Sequence, residues 1–201
     1  MIRALILFLF SALPVMATVD GWPALHDVIG VAADDVLNIR AEPNAEAKIV
    51  GTLAHDAVDV EVIMPSEDFE WGLVATGEGM GWASLDYLVP GPGQWDGQFP
   101  EFTACSGTEP FWSLVREGET VTFDGLDLPG ASAPIDFRES SLSHRGRHSF
   151  RAGDMVGVLS NELCNDGMSD LEYGWELNLI MLSGEDDNRH FQGCCSIRPR
   201  D

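Results

Sequence analysis

The sequence predicts an all-β protein built from two small units, the second of them stapled by disulfides. Three observations carry this. Twenty-one Gly and 11 Pro are scattered among Val and Thr over 201 residues, a composition of short strands and tight turns. In the first half, apolar and polar residues alternate with no sustained helical period. All four cysteines lie beyond Pro90-Gly91-Pro92-Gly93-Gln94, a cluster that continues neither helix nor strand and reads as the start of a linker over 91–101.

Charge narrows the function classes. The chain carries 33 Asp and Glu against 11 Lys and Arg, a net charge of −22, and Lys48 is its one lysine. Residues 18–90 hold 14 acidic and 2 basic side chains, and 91–201 hold 19 and 8. Such a surface repels phosphate backbones and anionic headgroups, so neither nucleic acid nor a membrane surface is an expected partner. A hydrophobic fraction of 45% suffices for a packed core.

Residues 1–17 read as a secretory signal peptide. Arg3 supplies the positive start, Ala4 to Leu13 form an apolar run, and Val15-Met16-Ala17 offers a cleavage site. The run is shorter than the roughly 20 residues a bilayer requires, and Pro14 ends it. An exported chain with an even cysteine count is expected to form two disulfides, for which Cys105, Cys164, Cys194 and Cys195 allow three pairings. Neighbours on a strand face opposite ways, so Cys194 and Cys195 are expected in different bridges, with a vicinal bridge as the alternative. A C-x-x-C redox motif and paired zinc-ligand spacings are both absent from the sequence.

In the unit at 18–90, Val36-Leu37-Asn38-Ile39-Arg40 reads as a strand ended by the turn Ala41-Glu42-Pro43-Asn44. Val58, Val60 and Val62 alternate with Asp59 and Glu61, which predicts a strand with one wet face. Trp71 to Val74 and Gly81 to Ala83 are two more, joined through Gly77-Glu78-Gly79. The series Leu37-Asn38-Ile39-Arg40-Ala41-x-Pro43, Val50-Gly51, Trp71-x-x-Val74, Gly81-Trp82-Ala83 and Tyr87-Leu88 resembles bacterial SH3 domains over residues 26–89. That resemblance implies a small β-barrel that binds peptides, often cell-wall peptides, with Trp71, Trp82 and Tyr87 as its ligand surface. The competing expectation is that the tryptophans fill the barrel, since some sixty residues leave little else to bury. Asp68, Glu70 and Asp86 lie near enough in sequence to meet a cationic ligand, although solvated charges explain them as well.

The unit at 102–198 opens on Cys105-Ser106-Gly107-Thr108-Glu109-Pro110-Phe111-Trp112, read as an entry turn that delivers two aromatics to a core. Trp175, Leu177, Leu179 and Met181 alternate with polar residues, and the polar turn at 183–188 returns the chain as a partner strand from Phe191 to Ile197. Three motifs, Gly107-Thr108-Glu109-Pro110-Phe111-Trp112, Cys164-Asn165-Asp166-Gly167-Met168-Ser169-Asp170 and Gly193-Cys194, resemble an uncharacterised bacterial envelope family. That family is distantly similar to META domains and lipocalin-like barrels. The resemblance implies a small closed or nearly closed β-barrel and a Cys164–Cys194 bridge, which leaves Cys105 and Cys195 for the second. The doubled Cys194-Cys195 and Leu171 depart from the family's usual pattern.

No catalytic constellation emerges. The five histidines fall in no triad signature, G-x-S-x-G is missing, and disulfide-bonded thiols cannot attack a substrate. Glu109 is of interest because an apolar setting would raise its pKa, although capping a turn at the barrel mouth is the stronger expectation. Calcium is weighed at Asp166 to Glu172 and at Glu185 to Asn188, and neither segment fits the twelve-residue loop. Copper on Met155, Met168 or Met181 lacks the close spacing. The basic run His144 to Arg151 reads as internally paired or a basic loop, with an anionic ligand as the alternative.

The function expected from sequence is an exported, non-enzymatic, monomeric binding protein without metal or cofactor. Its first barrel would take a peptide or cell-wall component. Its second would hold a ligand or dock a partner, with Glu109, Trp112, Asp166 and Met168 as the place to look. The alternatives are an envelope hydrolase pairing Glu109 with Asp166 or Asp170 at about 5–10 Å, and an acidic adaptor or inhibitor of a basic envelope protein.

Overall fold

The computed structural model describes residues 21–77, 79–94, 97–182 and 188–198. The expected signal peptide at 1–17 and most of the polar turn at 183–188 lie outside them. The chain is all β, with a single short 3-10 turn (Leu85–Tyr87) among the described residues. Among the described residues no helix is long and apolar enough to cross a membrane.

The first half forms β1 (Ala24–Val28), β2 (Val36–Arg40), β3 (Ile49–Ala54), β4 (Val60–Pro65), β5 (Trp71–Ala75), β6 (Met80–Ser84) and β7 (Leu88–Pro90), paired in the order β3-β2-β6-β5-β4-β1-β7. Alternation places Leu37, Ile39, Val60, Val62, Val74 and Ala83 on the inner face, where they close an aliphatic core with Val28 and Leu88. His26 shares that face, is buried, and stacks on Trp22 with centroids 5.3 Å apart. Val58 departs from the expected alternation. Asp59 adopts a left-handed conformation (φ 54°), so β4 starts only at Val60, and Val58 stays exposed.

The second half forms β8 (Ala104–Thr108), β9 (Phe111–Glu117), β10 (Thr120–Gly125), β11 (Ala131–Pro134), β12 (Phe137–Ser140), β13 (Arg147–Ala152), β14 (Met155–Ser160), β15 (Cys164–Asn165), β16 (Glu172–Tyr173), β17 (Trp175–Met181) and β18 (Arg189–Ser196). Nine of these pair in the order β11-β10-β9-β8-β18-β17-β14-β13-β12, and β15 with β16 form a separate ribbon. Strands β11 and β12 are the two edges of the nine-stranded sheet, yet only Ile135 and Asp136 separate them in sequence. Three peptide steps reach at most about 11 Å, so the sheet must curl until its ends are neighbours. The curl encloses the larger core, which includes Phe102, Trp112, Leu114, Phe123, Phe150 and Leu177.

Cys194 and Cys195 sit side by side on β18 and face opposite ways. Cys195 lies in the core, directly across from Cys105 on β8, and the two are bonded. Cys194 faces outward and is bonded to Cys164, pinning the β15–β16 ribbon to the outside of the sheet. Both bridges, 90 and 30 residues apart in sequence, suit an oxidising compartment outside the cytoplasm.

The stretch read as a linker is docked. Gln94 accepts the Leu25 N–H at 2.6 Å and returns an amide N–H to the Leu25 carbonyl at 2.8 Å. Phe99 packs on Phe102 and Phe150 in the larger core. Further bonds join the halves: Glu61 accepts the Ile197 N–H at 3.1 Å and the Ser196 hydroxyl, and Asn161 donates to the Trp22 carbonyl at 2.5 Å. The Pro23 ring lies on Gly174, where a Cβ would fall 2.6 Å from its Cδ.

Candidate functional site

The three motifs of the second half meet in one open groove of about 1130 Å³. The β8–β9 turn supplies Thr108, Glu109, Pro110 and Phe111, the β15 loop supplies Asn165 to Met168, and β17 and β18 supply Glu176 and His190 to Cys194. Two links hold the motifs together. The Thr108 hydroxyl donates to the Asp166 carbonyl at 2.9 Å, and the Cys164–Cys194 bridge ties the ribbon to β18.

Local chemistry explains the loop. Asp166 Oδ1 accepts the N–H groups of Met168 at 3.0 Å and Ser169 at 2.9 Å together with the Ser169 hydroxyl at 3.0 Å. Asn165 Oδ1 accepts the Gly167 N–H at 2.7 Å, and its amide donates to the carbonyls of Ser169 and Leu171. Gly167 takes a left-handed φ of 74° that the turn requires. The Asp166 carboxylate thus builds the loop. Asp170, proposed as a partner for Glu109, has its Cβ beside Gly79 of the first half and does not line the groove.

Trp112 is a core residue, as the entry-turn reading expects and against its place among the pocket residues, whereas Phe111, expected in the core with it, is not. Neighbours on a strand face opposite ways, so the entry turn sends Trp112 inward and leaves Phe111 half exposed. The indole packs against Phe123 and Phe191 and lies flat across β8 and β18. A Cβ on Gly107 would fall 2.3 Å from Trp112 Nε1, and one on Gly193 would fall 2.6 Å from its Cζ2 and 2.1 Å from the Ser106 carbonyl. Only glycine admits that approach, which accounts for the glycines of two motifs.

Glu109 lines the groove and is exposed at the turn; the apolar setting considered for it is not there. Met168 is exposed in the loop and, with Phe111 and Leu163, gives the groove its accessible apolar surface. Sequence reading missed Phe111, Leu163, Glu176 and His190 as lining residues. For Glu176 and His190 the signal is the outward set of the β17–β18 hairpin, where Glu176, Asn178 and Ile180 stand opposite Cys194, Gln192 and His190.

That outward set contains a directed hydrogen-bond chain. The Asn178 amide donates to Glu176 at 2.8 Å, so its oxygen accepts from His190 Nε2 at 3.0 Å. His190 Nδ1 is then an acceptor in the neutral ring. Glu109, Glu176 and His190 make the groove rich in acceptors, which suits a ligand that brings hydrogen-bond donors or positive charge.

In the first half, Trp71, Leu73 and Met80 share the outer face of β5 and β6 with Trp82, while Gly72, Val74, Gly81 and Ala83 face the core. Trp71 pairs with Ser84 and Trp82 with Leu73, so the tryptophans are diagonal neighbours. They are half buried and lie outside the aliphatic core of this half, so they do not fill it. Arg40 stands opposite Trp82 on the same face and is held by the Ala47 carbonyl at 2.8 Å. Tyr87 is exposed on the 3-10 turn. Asp68 accepts the Ser66 hydroxyl at 2.5 Å and the Glu70 N–H at 3.1 Å, and these bonds hold its carboxyl below the usual carboxylate range. Glu70 and Asp86 are exposed.

Other sequence candidates resolve into structure. Arg147 pairs with Glu162 at 2.9 Å and Arg151 with Asp136 at 3.1 Å, while His148 is buried beside Ser140. Met155 and Met181 are cross-strand partners at the core, away from the exposed Met168. The Glu185 to Asp187 part of the second acidic turn lies outside the described residues. Among the described residues no group of three or more His, Cys, Asp or Glu is placed to hold a metal ion. No known protein-family model matches the sequence, and no curated protein matches it.

Proposed function

We propose that this chain is an exported, non-enzymatic binding protein of the bacterial cell envelope, either periplasmic or secreted. Its first half, which resembles bacterial SH3 domains, recognises a peptide or cell-wall component through the Trp71–Trp82 face. Its second half docks a partner in the motif groove. The carrying observation is the meeting of three separate motifs at one open groove that leaves Phe111, Leu163 and Met168 exposed. Asp166, the motif carboxylate best placed for chemistry, is bonded to its own loop, which favours binding over acid–base work.

The test titrates the whole protein with solubilised peptidoglycan fragments, followed by calorimetry and indole resonances. Binding is expected, weakened by Trp71→Ala with Trp82→Ala and unchanged by Phe111→Ser. In parallel, a basic envelope protein fraction is offered, and retention is expected to fall with Phe111→Ser and with salt. Failure of both probes to bind, or binding indifferent to both variants, overturns the reading.

A further inference from the structure

A second concavity, of about 310 Å³, lies where the two halves meet, away from the motif groove. Trp22, Pro23 and Leu25 come from the first half, Phe99 from the docked stretch between the halves, and Trp175 and Ile197 from the second, so it exists only in the assembled molecule. Its volume is on the order of ten waters and sits at the small end of ligand sites, which favour such boundaries and are mostly apolar and preformed.

The walls are fixed by bonds of long sequence reach. Asn161 donates to the Trp22 carbonyl at 2.5 Å and the Gly174 carbonyl at 3.2 Å, Gln94 is doubly bonded to Leu25, and Glu61 holds the Ile197 N–H. Trp22 is further set by its stack on His26, and Trp175 by its edge contact with His148. Little ordering is left for a ligand to impose, and that lowers the free-energy cost of binding.

Charge selects the ligand's sign. Among the described residues two carboxylates, Glu101 and Asp59, line the cavity. Arg116 neutralises Glu101 at 2.8 Å, whereas Asp59 has no ion-pair partner among the described residues. The Asp59 N–H is held by Asp27 at 3.0 Å in the left-handed conformation, so this carboxylate stands on an anchored backbone. Phe99 already carries Arg116 and Arg138 against its ring, 6.0 and 5.8 Å from the centroid, so the cation-attracting walls are the indoles of Trp22 and Trp175, and the net charge of −22 raises the local concentration of cations.

We propose that the cavity between the two halves, walled by Trp22, Phe99 and Trp175 and edged by Asp59, binds a small organic cation with a flat apolar body, such as an arylalkylammonium. This site is independent of the motif groove and of the proposed envelope partner.

The test uses 2-phenylethylammonium as cation and 3-phenylpropionate as an anion of similar size, each titrated into the whole protein. Calorimetry and the indole N–H resonances of Trp22 and Trp175 report binding. The cation is expected to shift both resonances saturably below about 10 mM, and the anion to bind at least about tenfold more weakly. Asp59→Asn keeps a side chain that tolerates the left-handed backbone and is expected to weaken the cation about fivefold, the contribution of an exposed ion pair. No saturable shift, equal binding of cation and anion, an unaltered Asp59→Asn, or shifts confined to the groove around His190 would each overturn the proposal.

Discussion

Glu61 accepts the backbone N–H of Ile197 at 3.1 Å, although 136 residues separate them. Glu61 comes from the polar face of β4, and that face is covered by the far end of β18. Replacing Glu61 with Ala leaves the buried Ile197 N–H without its acceptor and Ser196 without a partner carboxylate. Urea unfolding is expected to show a loss of about 1–3 kcal/mol. Glu61→Gln keeps an acceptor and is expected to lose less.

The two disulfides are expected to contribute unequally. In the chain-entropy account, closing 90 residues stabilises by about 4.6 kcal/mol and closing 30 by about 3.6 kcal/mol. The Cys105→Ala/Cys195→Ala pair also opens space in the core, whereas Cys164→Ala/Cys194→Ala loosens only the outer ribbon. Thermal melts of the two double variants are expected to rank in that order. The reverse ranking would show that the ribbon carries core stability.

Gly193→Ala tests the packing of Trp112. The added methyl meets the Ser106 carbonyl at 2.1 Å, and backbone cannot move aside cheaply. A loss of about 1–3 kcal/mol or more is expected by denaturant titration. Gly77→Ala is the control, because nothing lies within 4 Å of its Cβ, and it is expected to melt close to the parent.

His26 ties stability to mildly acidic pH. Burial lowers its pKa below the ordinary 6.5, against the smaller opposing effect of its bond to the Ala24 carbonyl. Between the lowered folded value and 6.5 the unfolded chain binds the extra proton, so stability is complete above 6.5 and falls as pH drops through that window. Melting temperatures measured from pH 8 to 5 are expected to decline below about 6.5. Replacing His26 with Gln is expected to flatten this segment of the curve.

The Glu176–Asn178–His190 chain predicts a tautomer. Nitrogen-15 spectra at a pH where the ring is neutral are expected to show His190 protonated on Nε2. Asn178→Leu is expected to release that preference and mix the tautomers. An Nδ1–H ring in the parent protein would overturn the assigned direction of the chain.

Short-range signals were legible in the sequence. A period of two marked strands such as β2, β5 and β17, and Pro-Gly punctuation marked where the first half ends. Adjacent Cys194 and Cys195 had to face opposite ways, and they do. These features depend only on neighbours along the chain, so the sequence alone determined an all-β, disulfide-bridged protein. Alternation announces that a strand has two faces, but it does not say what covers each one. Only the tertiary structure decided that Trp112 packs over Gly107 and Gly193 while Phe111 turns to the groove. It also set Trp71 and Trp82 outside an aliphatic core and spent the Asp166 carboxylate on its own loop. The same holds for Glu61, whose polar face meets β18 rather than water, because burial is fixed by contacts between segments far apart in the chain.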